Sequence, residues 1–385
     1  MYDAFITGIG KTAVGEHWER PLRDIALEAI QNAMQDAEVG PDDVEAVVIG
    51  NAFGATISGQ INLASLIVDY AGLRGVEATR VEAADASGGL ALRYGISLLS
   101  QVETVLVVGV EKVTDQIGAE RVTAMTTMLD AEYESVHGAT LPAVAGLLMR
   151  RYMYEYGLDL NAFEGFSINA HANGSKNPYA MYRNLIKSGR FAAAPMVAEP
   201  VNLFDSAPEA DGAAAVILTR NLPRQSHNKV IRVLGSAAAT DTLALHSRSD
   251  ILFLSAVNIA AGRLFEQTNK TPTDVELLEL HDSFTVLSAL QLEAAGFAER
   301  GKGWQLAANG DIQPNGKLPI STFGGLKARG NPYGATGVYQ AVEVAQQLRG
   351  EGGDNQLPNI PHLGMTLNLS GVGSVAVAHL FESVN

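Results

Sequence analysis

Short runs of β-branched and aliphatic residues alternate with helix-forming stretches in the first third of this 385-residue chain, and the alternation returns near its end. The early runs are Phe5-Ile6-Thr7, Val47-Val48-Ile49, Arg80-Val81-Glu82 and residues 104–110, with helical patterns over Leu22–Ala37 and 62–71 between them. Parallel strands need a crossover that a helix supplies, so this βαβ rhythm predicts a mostly parallel sheet covered on both faces. After a break at Asn221-Leu222-Pro223-Arg224, further strands are expected at residues 230–234, 275–280, 365–369 and 375–381. From about 115 to 200 the pattern changes to long helical segments, including 143–156 and 163–171, which Asn177-Pro178-Tyr179 ends. The first sheet is expected to resume at 213–218. This organisation predicts two duplicated βαβ-rich halves, residues 1–222 and 223–385, with a helical insertion in the first.

The chain has no cysteine. That excludes disulfides, thiolate metal sites and every cysteine-nucleophile mechanism. A formal net charge of −15 argues against a nucleic-acid or anionic-membrane partner. An anionic coenzyme would therefore need a local basic patch. Lys176, Arg183, Lys187 and Arg190 form such a cluster, or else a solvated helix face. No apolar run reaches the ~18 residues of a membrane span. The strand-like start Tyr2-Asp3-Ala4-Phe5-Ile6 is unlike a signal or transit peptide, so a cytoplasmic protein is expected. No Walker, Rossmann or zinc motif occurs in its required context, and His137 has no partner pattern for a metal. No metal and no separate cofactor are expected.

The run Val81-Glu82-Ala83-Ala84-Asp85-Ala86-Ser87-Gly88-Gly89-Leu90 ends a strand in a small-residue turn and opens an apolar helix. This geometry presents a side chain at a helix N-terminus, where backbone N–H groups favour negative charge. Further motifs follow in order: Val108-Gly109-Val110-Glu111-Lys112, His171-Ala172-Asn173 with Asn177-Pro178, and Asp211-Gly212-Ala213-Ala214-Ala215. Then come His281-Asp282-Ser283-Phe284-Thr285, Gly324-Gly325-Leu326-Lys327-Ala328-Arg329-Gly330-Asn331-Pro332, Gly334-Ala335-Thr336-Gly337 and Asn368-Leu369-Ser370-Gly371-Val372-Gly373.

This ordered series resembles the thiolase superfamily, particularly its sterol-carrier-protein-type and archaeal branch, over nearly the whole chain. The resemblance implies an α/β thiolase fold, a five-layer αβαβα sandwich with a helical loop insertion over the site. It also implies an acyl-CoA ligand, with coenzyme A as part of the substrate, and a homodimer or dimer of dimers. Relatives in this branch often pair with small zinc-ribbon/OB-fold proteins that complete the acyl-binding site. An acyltransferase or acetyl-CoA acetyltransferase label would be natural, yet the residues depart from that chemistry. The acyl-accepting cysteine of V-E-A-A-C-A-S-G-G is replaced by Asp85, and the histidine of the G-H-P motif by Asn331. The second acid/base element, a C-x-G cysteine or a His-Asn pair, is replaced by Leu367-Asn368-Leu369-Ser370. Among the ionisable participants His281 alone remains.

As a nucleophile, Asp85 would form a mixed anhydride, higher in energy than the thioester it came from. As a general base it can deprotonate a β-hydroxyl and drive retro-aldol cleavage of a β-hydroxyacyl-CoA with no covalent intermediate. A helix N-terminus would lower its pKa and burial would raise it. His281 either donates to the thioester carbonyl or is a strand-end histidine satisfied by Asp282 and backbone. Asn331 is an oxyanion-hole donor or a turn residue before Pro332. Tyr333 supplies the missing acid or packs at a helix start.

Ser87, Gly88, Asn368, Ser370 and Gly371 are expected at the ligand, with Arg183 and Lys187 toward the coenzyme phosphates. For Ser87 helix capping is an equal alternative, and for Gly89 and Gly373 tight packing. His171 is read as structural. Two functions follow: an acyl-CoA enzyme of aldolase-like carbon–carbon chemistry, or a non-catalytic acyl-CoA-binding or scaffold subunit working with a partner.

Overall fold

The computed structural model describes residues 3–222 and 228–384. Tyr2 of the strand-like start and Pro223 and Arg224 of the expected break lie outside the described residues. The alternation is present as β1 (Phe5–Lys11), α1 (Leu22–Ala37), β2 (Ala46–Gly50), α2 (Leu63–Tyr70), β3 (Glu77–Val81), α3 (Ser87–Leu98) and β4 (Thr104–Glu111). Helices α4 (Gly118–Thr126), α5 (Leu141–Tyr156) and α6 (Glu164–Gly174) follow. A small hairpin of β5 (Met196–Ala198) and β6 (Val201–Asn202) precedes β7 (Gly212–Thr219). The remainder is β8 (Ile231–Thr240), α7 (Ser255–Thr268), β9 (Leu277–Glu279), α8 (Thr285–Ala294), α9 (Gly303–Ala308), α10 (Thr336–Arg349), β10 (Leu363–Ser370) and β11 (Val375–Ser383). The insertion is helical only in part. Residues 178–195 are irregular, so Arg183, Lys187 and Arg190 lie on a loop and not on a helix face.

Among the described residues nine strands form one sheet in the order β3-β2-β4-β7-β1-β8-β11-β10-β9. The order mirrors itself about the β1–β8 seam, where Phe5 pairs with Arg232 and Ile6 with Ile231. On each side one antiparallel strand, β7 or β11, lies between the seam strand and the parallel strands. An isolated parallel bridge between Leu278 and Ile320 occupies the place that β3 holds on the other side. The expected duplication is therefore visible in the pairing. The expectation of a mostly parallel sheet is corrected: among the described strand pairs only β2–β3, β2–β4 and β9–β10 are parallel. A strand buried on both faces reads as an unbroken apolar run whichever way it points, and the Gly-Ala-Ala-Ala-Val-Ile-Leu-Thr of β7 is such a run.

The sheet halves are separated and flanked by helices. Ile25, Ala29, Ile30 and Ala33 of α1 and Ile67 of α2 pack on Val47, Ile49, Val108 and Ile217. On the opposite face, Leu92 and Ile96 of α3 meet Val338, Tyr339 and Val342 of α10, together with strands from both halves. Val257, Ala260 and Leu264 of α7 and Leu287 and Leu290 of α8 cover the outer face of β9–β11. The result is helix, sheet, helix, sheet, helix. Each fully buried Val, Leu or Ile side chain among these stabilises the fold by about 1.5–3 kcal/mol.

The central helices touch backbone to backbone at their starts. A Cβ on Gly88 would lie 2.8 Å from the Gly334 carbonyl oxygen, and one on Gly337 would lie 2.2 Å from the Gly89 nitrogen. This contact sets Asp85, just ahead of α3, beside Asn331, just ahead of α10.

Candidate active site

Ala84 turns the chain with a φ of 49°, in the left-handed region that costs a residue other than glycine about 1 kcal/mol or more. Ser87 fastens this turn, donating to the Ala84 carbonyl at 2.5 Å and accepting from the Ala83 N–H at 2.9 Å. Its hydroxyl closes the loop carrying Asp85. Asp85 is 1% exposed. Its Oδ1 accepts from Asn331 Nδ2 at 3.2 Å and its Oδ2 from the Gly371 N–H at 3.3 Å. Burial pushes the carboxyl up to about 6, and the Asn331 and Gly371 hydrogen bonds hold it from rising further. Burial outweighs the helix terminus here, leaving a base matched to neutral pH.

The amide of Asn331 is oriented by its neighbours. Its Oδ1 accepts from Thr336 Oγ1 at 2.8 Å and from the Tyr333 N–H at 3.0 Å, so the NH2 group faces Asp85. One N–H of that group remains for a ligand oxygen. Tyr333 has a φ of 34° and packs edge-on against Phe53 with ring centroids 5.1 Å apart. Its hydroxyl donates to Met125 Sδ at 3.3 Å. Burial, then Glu209, then Asp85 raise the phenol well above its ordinary value, so it remains protonated.

Asn368 joins the nucleophile-position helix to His281. Its Oδ1 accepts from the Gly89 N–H at 3.1 Å, so its Nδ2 is the atom facing His281 Nδ1 at 3.3 Å. His281 Nδ1 is thus an acceptor and the ring proton sits on Nε2, which is buried with no partner. Burial, with Arg329, lowers the imidazole to about 3, so it is a neutral donor. The alternative in which Asp282 satisfies His281 is corrected. Asp282 accepts instead from Ser321 Oγ at 3.1 Å and the Leu326 N–H at 2.7 Å.

Asn331 and Tyr333 face a cavity of about 300 Å3, lined also by Met125, Leu141, Phe284 and Glu209, and Asp85 lies behind Asn331, bonded to its amide. That volume is at the small end for organic ligands. Gly371, with a φ of 51°, has only Leu141 and Met128 near its missing Cβ, and both residues line the same cavity. Gly88 faces α10, and Ser370 closes a turn through its carbonyl to the Gly373 N–H at 2.8 Å; both are packed and neither lines the cavity.

Arg183 and Lys187 are exposed and do not line this cavity. Their sequence neighbours Tyr182, Asn184 and Ile186, but not they themselves, line a second cavity of about 320 Å3 with His171, Phe204 and Lys327, which shares Ser206 and Ala207 with the first. His171 Nδ1 bonds the Asn184 carbonyl at 2.8 Å and its ring stacks on Tyr182. Sequence reasoning missed Glu209 and Arg121. Glu209 sits two residues before the Asp211-Gly212 turn, with no spacing that marks it. Among the described residues no cluster of three or more His, Asp or Glu could hold a metal, and no helix is long and apolar enough to cross a membrane.

Residues 2–190 match the family model described as thiolase, N-terminal domain, and residues 237–383 match thiolase C-terminal domain-like. An acetyl-CoA acetyltransferase of Methanothermobacter thermautotrophicus is 40% identical over 99% of this chain and 100% of its own. A protein of the same name from Methanocaldococcus jannaschii is 36% identical over 99% of both chains. Among solved structures, the Ltp2-ChsH2(DUF35) aldolase is similar with a TM-score of 0.83 over 99% of this chain and 98% of that one, at 24% identity. The chain belongs to the thiolase family.

Proposed function

We propose that this thiolase-family protein is an acyl-CoA lyase of the aldolase kind, cleaving the Cα–Cβ bond of a β-hydroxyacyl-CoA. The observation that carries this reading is Asp85, a carboxyl that burial pushes up to about 6, at the position where the family's mechanism places a cysteine. Asp85 takes the β-hydroxyl proton, the Cα–Cβ bond breaks, a ketone or aldehyde forms, and the electron pair passes into the thioester enolate. The Nε2–H of His281 and the remaining N–H of Asn331 donate to the enolate oxygen as its charge develops. Tyr333, protonated beside them, supplies an acid to the α-carbon. Coenzyme A enters as part of the substrate, and no other cofactor is called for.

Relatives named acetyl-CoA acetyltransferase favour acyl transfer instead. Without a cysteine that reaction would pass through a mixed anhydride, with no histidine at position 331 to activate the attacking group. The aldolase that shares this fold is named with two components, which supports a partner here as well. A zinc-ribbon/OB-fold protein would complete the acyl site of a cytoplasmic homodimer or dimer of dimers. A second reading, a non-catalytic acyl-CoA-binding subunit, is favoured by the near-complete burial of Asp85.

The test is titration of the purified protein with coenzyme A, acetyl-CoA and a branched β-hydroxyacyl-CoA, with the same mixtures assayed for cleavage. Release of a shorter acyl-CoA and a carbonyl product, reduced about 10²–10⁴-fold by Asp85→Asn, is expected. Binding without cleavage, alone and with a co-expressed partner, would favour the second reading.

A further inference from the structure

Asp85 accounts for one proton, and retro-aldol chemistry moves two. The α-carbon of the enolate must also be protonated, and in the reverse direction deprotonated. His281 is a neutral donor that would become an imidazolate on giving up its proton, and Asn331 cannot shuttle one. Among the described residues lining the cavity, Tyr333 carries the only phenol and Glu209 the only carboxyl.

Glu209 is held alongside Asn331. The Asn331 N–H donates to the Pro208 carbonyl at 2.9 Å, and the Ala210 N–H donates to the Asn331 carbonyl at 3.1 Å. The side chain reaches the cavity wall, where its Oε2 lies 3.0 Å from Nε of Arg121 on α4. The rest of that wall is largely apolar, with Val122, Met125, Leu141 and Phe284. Glu209 acts on the Tyr333 phenol more strongly than Asp85 does, and a turn of the hydroxyl from Met125 toward Glu209 would stabilise the Glu209 charge. Tyr333 thus feels two carboxyls, Glu209 in the cavity wall and Asp85, which is bonded to Asn331.

We propose that Glu209 and Tyr333 form the second proton-transfer pair of this site, exchanging a proton with the α-carbon of bound acyl-CoA while Arg121 holds the Glu209 carboxylate. The inference rests on the acyl-CoA reading above. In cleavage, the Tyr333 proton passes to the α-carbon as the Glu209 carboxyl gives its own proton to the phenolic oxygen. Glu209 is left as a carboxylate paired with Arg121, and solvent carries the proton held by Asp85 back to Glu209. No net proton is gained or lost. In reverse, the Glu209 carboxylate draws an α-proton through Tyr333 and leaves the enolate. Burial raises the Glu209 carboxyl while Arg121 and Tyr333 lower it, which suits a group that must hold and release a proton.

The experiment is α-proton exchange of acetyl-CoA in D2O, followed by loss of the acetyl methyl proton signal, with the full chain and with Glu209→Gln, Glu209→Asp and Tyr333→Phe. Exchange by the wild-type protein is expected to fall about 100-fold or more in Glu209→Gln and Tyr333→Phe, with acetyl-CoA affinity within about twofold and partial recovery in Glu209→Asp. Exchange at the wild-type rate in Glu209→Gln overturns the inference, as does wild-type exchange at the solvent rate. Cleavage of a β-hydroxyacyl-CoA, measured in parallel, separates the two claims. Glu209-dependent exchange without cleavage keeps the pair and removes the aldolase reading. Cleavage with Glu209-independent exchange does the reverse.

Discussion

Asn331 donates its side-chain amide to Asp85 across 3.2 Å, joining residues 246 positions apart at the starts of the two central helices. The bond stabilises the carboxylate form of a group that burial would otherwise keep protonated. Replacing Asn331 with Ala removes that donor and should raise the Asp85 pKa further. The acid limb of the pH–rate profile for β-hydroxyacyl-CoA cleavage is then expected to move to higher pH. An unmoved limb would show that another group sets it.

Asp85 also predicts a pH dependence of stability. Its folded pKa is about 6 against an ordinary 3.8, so the folded state binds the proton more tightly than the unfolded one. Stability is therefore lost as pH rises from about 4 through about 6, by up to about 3 kcal/mol from this group. Glu111, Asp205, Glu279 and Asp282 are raised in the same direction by burial, so the wild-type curve alone does not isolate Asp85. Asp85→Asn does. Its unfolding free energy relative to wild type should improve by up to about 3 kcal/mol between pH 4 and pH 7.5, measured by urea titration. A pH-independent difference would place the carboxyl near its ordinary pKa.

The chain Gly89 N–H, Asn368, His281 predicts a graded loss. Asn368→Ala leaves His281 Nδ1 without its donor, so the ring is free to place its proton on either nitrogen. A fall of about 10-fold in turnover with little change in substrate affinity is expected, against about 10²–10³-fold for His281→Ala. Equal losses in the two variants would mean that Asn368 acts on the ligand itself.

The glycine contact between α3 and α10 predicts a stability effect. Gly337→Ala puts a Cβ 2.2 Å from the Gly89 nitrogen, with backbone on both sides of the clash. Destabilisation of about 3 kcal/mol or more is expected, seen as a lowered midpoint in thermal or denaturant unfolding. A variant as stable as wild type would show that the helix starts can separate without penalty.

Element positions were legible where local pattern decides them. Helix α1 occupies the expected Leu22–Ala37, and the run at 104–110 lies within β4, because periodicity and β-branching are local signals. Strand direction was not legible. The orientation of β7 is set by the chain's return from the insertion, and no residue in its apolar run records it. Asp85, Asn331, Tyr333, His281 and Asn368 were singled out through ordered motifs, and the structure bonds Asp85, Asn331 and Tyr333 into one group and Asn368 and His281 into another. Glu209 escaped because its importance comes from a bridge to Asn331, a residue 122 positions away, and from a cavity that only the folded chain creates.

The seat of α3 on α10 asks nothing of the side chain at position 85. Gly88, Gly334 and Gly337 bring the two helix starts together by what they lack, and the Ser87 hydroxyl locks the turn from behind. A chain built in this way can exchange its reagent without rebuilding its frame. The turn ahead of α3 is a socket, able to hold a thiol, a carboxyl or an amide against residue 331 and whatever the neighbouring cavity admits.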